Sequence, residues 1–208
     1  MPAPTPAARS NTKTLGHVNL MLDTFIANCP LDDLRSITRA LLATTVPSTS
    51  SAYHAVARKQ MRRNLPRSTA PPTAPLFLIP DHSSPTDDPI PTAALSHVLT
   101  TARMLFGIGM GVEALGVLVP VVRATLGLHW DEDGPMIDAL AIVDGDIAQA
   151  VQSSREQVAS GLVEDAAAGR ETVDTMRRVL NDVRQQAAEW DCEWPFGRAA
   201  ESLEYLKL

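Results

Sequence analysis

Between residues 137 and 190 apolar or small side chains recur at alternating steps of three and four, and this spacing commits the segment to helices with one face turned toward a partner. A first stripe runs through Ile137, Leu140, Asp144, Ile147, Val151, Ser154 and Val158. A second runs through Leu162, Ala166, Gly169, Val173, Met176, Leu180, Val183, Ala187 and Trp190. The two stripes are out of phase, because Val158, Leu162 and Ala166 place two steps of four where a three is due. Ser160-Gly161 lies at that break, and glycine just past a helix end takes the left-handed conformation at little cost. The reading is an antiparallel hairpin within residues 135–190, with helices over 135–160 and 163–190. A single stuttered helix, roughly 80 Å long at about 1.5 Å per residue, is the competing arrangement.

Only nine of the 208 residues are aromatic, whereas Ala, Leu and Val abound, which favours closely packed helices over a sandwich or barrel. The expected fold class is therefore all-α, a multi-helix bundle joined to a small N-terminal helical module. The net charge of −6 conceals an asymmetry: residues 1–67 carry nine Lys/Arg against three Asp/Glu, and residues 68–208 carry nine against twenty-one. The two cysteines, Cys29 and Cys192, stand far apart and outside any Cys-x-x-Cys grouping, so neither a disulfide framework nor a zinc site is expected.

Four segments follow from these patterns. Residues 1–14, Pro-rich and without the apolar core of a secretory signal, are expected to be a disordered tail. Residues 15–64 form a small basic helical module, in which Pro30, Asp32 and Asp33 suit a helix start and Pro47 a stop. Residues 65–92 contain eight of the sixteen prolines and read as a linker, except that Leu76-Phe77-Leu78-Ile79 is too apolar to be free. That strip, 76–79, is expected to dock in extended form on the core, not to form an isolated strand without a partner. Residues 93–208 form an acidic helical bundle, containing the hairpin and an aromatic C-terminal tail. Within it, one helix is expected over 92–116 and a shorter one over 117–127, with Pro120 in the first turn of the latter. Residues 105–122 approach the length of a membrane span, but Glu113, Pro120 and four glycines argue for a buried helix of a water-facing core.

Motifs for chemistry are sparse. Gly107, Gly109 and Gly111 form a G-x-G-x-G run, yet a dinucleotide fingerprint needs a preceding strand, and this run lies within a helical pattern; close helix approach is the first explanation. Di-iron bundles use Glu-x-x-His pairs, which this chain lacks, and the acidic clusters at 131–134 and 144–146 do not continue into a calcium loop. The five histidines are scattered. No cofactor and no metal site is expected.

Two acids fall on faces that should be buried, Glu113 and Asp144, and an unpaired carboxylate there would be costly. Arg103, Arg123 and His97 are candidate partners. The structural reading is a buried ion pair that fixes helix register; the functional one is a polar pocket in which Glu113, Arg123 and Asp144 bind a small ligand. Arg58, Lys59, Arg62 and Arg63, followed by Arg67, form the one dense basic patch. Phosphate contact is one use, but the acidic chain and the absence of an aromatic platform favour a helix end or a dock on the acidic half. Trp190, Trp194, Phe196 and Tyr205 gather four of the nine aromatics, and are expected to clasp the bundle or, if exposed, to bind a partner.

The expectation is a non-enzymatic interaction or scaffold protein of the cytoplasm or nucleus that binds protein or itself, without nucleic acid or membrane. The alternative is a small-molecule-binding protein or enzyme, with a polar pocket around Glu113 and Asp144.

Overall fold

The computed structural model describes residues 21–68, 74–79 and 88–208, with the side chains of 66–68 left aside. The expected tail over 1–14, most of the proline-rich linker, and the side chain of Arg67 lie outside the described residues. Contacts divide the chain into two compact units, residues 1–52 and 53–208.

The first unit holds α1, helical over 21–28, then α2 (Leu31–Thr44) and the opening turns of α3 (Pro47–Ser68). Pro30 precedes α2, and Asp32 and Asp33 occupy its first turn, where carboxylates meet the unpaired amides of a helix start. No residue of α2 is buried.

In the second unit the first structure after α3 is a two-residue strand, β1 (Phe77–Leu78), paired antiparallel with β2 (Ile90–Pro91). The 76–79 strip thus has a strand partner, which the sequence did not reveal because the pairing residues belong to the far end of the proline-rich stretch. Leu76 and Phe77 are buried, whereas Leu78 and Ile79 are exposed. Thr92 ties the strip to the next helix, α4 (Ala93–Gly107). Its hydroxyl accepts from the Ala94 amide at 3.1 Å and donates to the Pro75 carbonyl at 2.8 Å, while its own amide donates to the Leu76 carbonyl at 3.0 Å.

α5 (Gly111–Arg123) is the centre of the bundle, and nine of its thirteen residues are buried, consistent with a helix that is apolar almost all round. The expected helices over 92–116 and 117–127 are corrected here. α4 ends at Gly107, and Gly109 turns the chain with φ +75°. The Met110 amide donates to the Leu105 carbonyl at 3.0 Å and the Gly109 amide to that of Phe106 at 3.1 Å, the paired bonds that close a helix through a left-handed residue. Pro120 therefore lies inside α5, not in a first turn. The carbonyl it leaves without a donor belongs to Gly116, which is exposed to water.

α6 (Pro135–Ala159) and α7 (Ala166–Glu189) form the C-terminal hairpin. Gly161 has φ +64°, the Leu162 amide donates to the Gln157 carbonyl at 2.9 Å, and the Gly161 amide to that of Val158 at 2.9 Å, the same ending as α4. Asp165 then opens α7, accepting from the amides of Ala167 and Ala168 at 3.0 and 2.9 Å. The turn brings Gln157 and Gly169 to one end of α5, beside Val112, so α6 and α7 run in opposite directions along it. Their apolar stripes close principally on α5, and α6 also packs against α4.

α8 (Gly197–Glu204) folds back onto α6 and α7. Phe196, Leu203 and Leu206 are buried, and Trp194 meets Phe196 edge-on with ring centroids 5.6 Å apart. No described helix is long and apolar enough to cross a membrane.

Candidate functional site

Each predicted site residue has a definite place in the second unit, and the three candidate ligand-binding residues do not converge. Glu113 stands in the first turn of α5, half-buried, where it accepts a hydrogen bond from Gln157 Nε2 at 3.0 Å. The same buried Gln157 accepts from the Val112 amide at 3.0 Å through Oε1. One side chain of α6 therefore satisfies an amide at the start of α5 and holds the carboxylate beside it. Met110, which precedes α5, supplies no side-chain cap, so this bond from another helix stands in its place. Around Glu113 opens a cleft of about 280 Å³, walled by Leu65, Gly116, Val163 and Thr172 among others. Replacing Gln157 with leucine leaves the Val112 amide and Glu113 without their partner, and is expected to lower the unfolding free energy by about 1–3 kcal/mol in urea titrations. An unchanged midpoint would show that water replaces the bond freely.

Asp144 lies elsewhere on α6, thirteen residues or roughly 20 Å along the helix from Gln157. It is buried, as its place in the stripe predicts, and its Oδ1 accepts from the Ala199 amide at 2.8 Å. Asp144 thus caps α8, whose own preceding residue, Phe196, contributes no side-chain cap. Burial raises its pKa above the ordinary carboxylate range, against the opposing pull of the Ala199 and Arg198 amides and the Arg198 charge. Arg123 is exposed at the far end of α5, and among the described residues it pairs with neither acid. Arg103, a candidate partner for both acids, instead grips Asp146: its Nε lies 3.0 Å from each carboxylate oxygen and its Nη2 2.8 Å from Oδ2. That pairing raises the pKa of Arg103, chiefly through the hydrogen bond. His97 is exposed.

Other helix ends in this unit are closed in the same way, by side chains distant in sequence. Asp88 accepts from the Met136 amide at the start of α6 and from the Asp131 amide, both at 3.1 Å. Ser153 donates to the Phe106 carbonyl near the end of α4 at 2.9 Å. Gln186 accepts from the Gly127 amide at 2.6 Å and donates to the Leu128 carbonyl at 3.1 Å, fixing the chain that leaves α5. At the end of α8, Arg177 donates to the carbonyls of Leu203 and Leu206 at 2.8 and 2.7 Å. A negative group at one end and a positive group at the other match the dipole of α8, which at eight residues is too short to stand alone. Sequence reading did not identify Asp88, Gln157, Arg177 or Gln186. Polar residues on apolar faces are the only local trace such contacts leave.

The basic patch lies on the part of α3 that belongs to the second unit. Arg62 pairs with Glu164 at 2.8 Å, Arg58 is half-buried, and Lys59 and Arg63 are exposed. Met61 and Leu65 of the same segment pack against the core. Of the aromatic tail, Phe196 is wholly buried and Trp194 partly so, whereas Trp190, stacked at 6.3 Å on His129, is half-exposed and Tyr205 is exposed. Among the described residues no group of three or more His, Cys, Asp or Glu is arranged to hold a metal ion.

The first unit presents a different surface. Phe25 is 47% exposed, Ile37 46% and Leu41 50%, and Met21, Leu22, Ile26 and Leu31 are similarly open. On α1, residues 21, 22, 25 and 26 share one face; on α2, residues 31, 37 and 41 follow a helical stripe flanked by the half-buried Leu34 and Leu42. These are the side chains expected inside a small helical module, and among the described residues of this unit none is buried. Comparison finds no family model, no curated protein and no solved structure that matches this chain.

Proposed function

We propose that this chain is a non-enzymatic helical interaction protein, and that the apolar faces of α1 and α2 are its binding element. The observation that carries the reading is the helical row of large apolar residues left near half exposure on α1 and α2, with no residue of α2 buried. Fully burying one such side chain is worth about 1.5–3 kcal/mol, so a solvated row of them favours association with another helix, whether of a partner or of a second copy. A row of large exposed apolar side chains along one helix marks interaction sites more often than isolated exposed leucines do. In the second unit Asp88, Asp144, Gln157 and Arg177 are occupied in closing helix ends, a structural task.

Full-length protein carrying both Ile37→Asp and Leu41→Asp tests the reading. Light scattering across a wide concentration range, together with affinity capture, is expected to show at least about tenfold weaker self-association or loss of a partner retained by the parent chain. Both substitutions lie on exposed positions, so the helical content of the second unit is expected to persist. If the double variant retains the same partners and the same mass at every concentration, the apolar row is not the binding element.

A further inference from the structure

A second cleft, of about 360 Å³, opens between α7 and α8, and none of Glu113, Arg123 and Asp144 lines it. Its floor is apolar, formed by Leu180, Ala200, Leu203 and Trp194, and its rim carries Arg184 and Glu204. A concave, mainly apolar space of this size with a few polar groups at its edge has the build of a small-molecule site.

Two walls are fixed before any ligand arrives. Arg177, which also lines the cleft, is held by the Leu203 and Leu206 carbonyls and by Asp174 at 3.0 Å, so its positive charge cannot swing away. Trp194 is braced edge-on by the wholly buried Phe196. Arg184 is different. It is exposed, and among the described residues no hydrogen bond or ion pair engages it. Arg177 is neutralised by Asp174, so the free guanidinium beside the apolar floor is that of Arg184, which offers two parallel donors to a carboxylate.

We infer that the cleft between α7 and α8 binds a small amphiphilic anion, an apolar body ending in a carboxylate, with the carboxylate on Arg184 and the body against Leu180, Leu203 and Trp194. Glu204 on the rim opposes that charge and limits affinity. The site is independent of the apolar faces of α1 and α2.

The test uses full-length protein with three matched probes, phenylbutyrate, phenylbutylamine and phenylbutanol, followed by calorimetry and by fluorine NMR of fluorotryptophan-labelled protein. Phenylbutyrate is expected to bind at one site and shift the Trp194 resonance, assigned with a Trp194→Phe sample. Arg184→Gln is expected to weaken it about tenfold, to the level of the alcohol, since a charge-assisted pair contributes about that factor. Glu204→Gln, which removes a repulsive charge, is expected to tighten it about threefold. Because Arg184 has no partner among the described residues, its replacement leaves the fold intact, which circular dichroism confirms independently. Tighter binding of the amine, an affinity untouched by Arg184→Gln, an unmoved Trp194 resonance, or no binding of any probe would each overturn the assignment.

Discussion

Asp144→Leu is expected to destabilise the second unit by about 2–3 kcal/mol, whereas Asp144→Asn holds stability at neutral pH to within about 1 kcal/mol. Leucine removes the acceptor of the Ala199 amide and leaves the start of α8 uncapped inside the protein. Asparagine keeps an oxygen in the same place and carries no charge into a buried position. The pH dependence separates the cap from the charge. Burial raises the folded-state pKa of Asp144 above its unfolded value, so the native state binds the proton more readily than the unfolded chain does. The stability this confers is fully present below the unfolded carboxylate pKa, and is lost as pH rises through the raised folded value. Urea unfolding of the parent and the asparagine variant in parallel is therefore expected to show the parent gaining on the variant as the pH is lowered through that window. A difference that stays flat with pH would mean that Asp144 titrates as an ordinary exposed carboxylate.

Gly111→Ala is the second large effect, an expected loss of about 2–3 kcal/mol despite the gain of about 1 kcal/mol that alanine normally brings to a helix. A β-carbon at Gly111 would run into the backbone of Ala150, Ser153 and Ser154, and backbone of a packed helix cannot step aside as the end of a side chain does. The start of α5 thus sits against α6 at a separation only glycine permits. Gly145→Ala is the control. It lies inside α6 with open space where its β-carbon would stand, and is expected to raise stability by about 1 kcal/mol. Thermal unfolding of both variants gives the contrast directly; equal shifts would show that propensity, not helix approach, decides the use of glycine at 111.

The G-x-G-x-G run illustrates how far local reasoning reaches. Close approach was legible as a reason for glycine, and Gly111 supplies it. The turn at Gly109 was not, because the apolar period runs on across residues 105–115 and a left-handed residue leaves no mark on periodicity. Missing that turn shifted Pro120 into a first turn, when it lies in the interior of a helix whose exposed Gly116 makes the lost bond tolerable. The hairpin was easier: the phase change and Gly161 fall together, and both signals are local.

The candidate site was legible in a more limited sense. That Asp144 is buried follows from its position between Leu140 and Ile147. That it faces the amide of Ala199 does not, because nothing near residue 144 refers to a residue fifty-five positions later. Glu113 and Asp144 were grouped as two acids on apolar faces, and the folded chain assigns them to the ends of two different helices.

The order of amino acids alone settled that the chain is helical, where the hairpin turns, and which faces seek cover, because those properties depend on spacing within a few turns. The folded arrangement decided which helix each face meets, which distant side chain closes each helix end, and that the large apolar residues of α1 and α2 stay open. Those outcomes depend on directions and distances between elements, and pairings across more than forty residues are set by how the whole bundle packs.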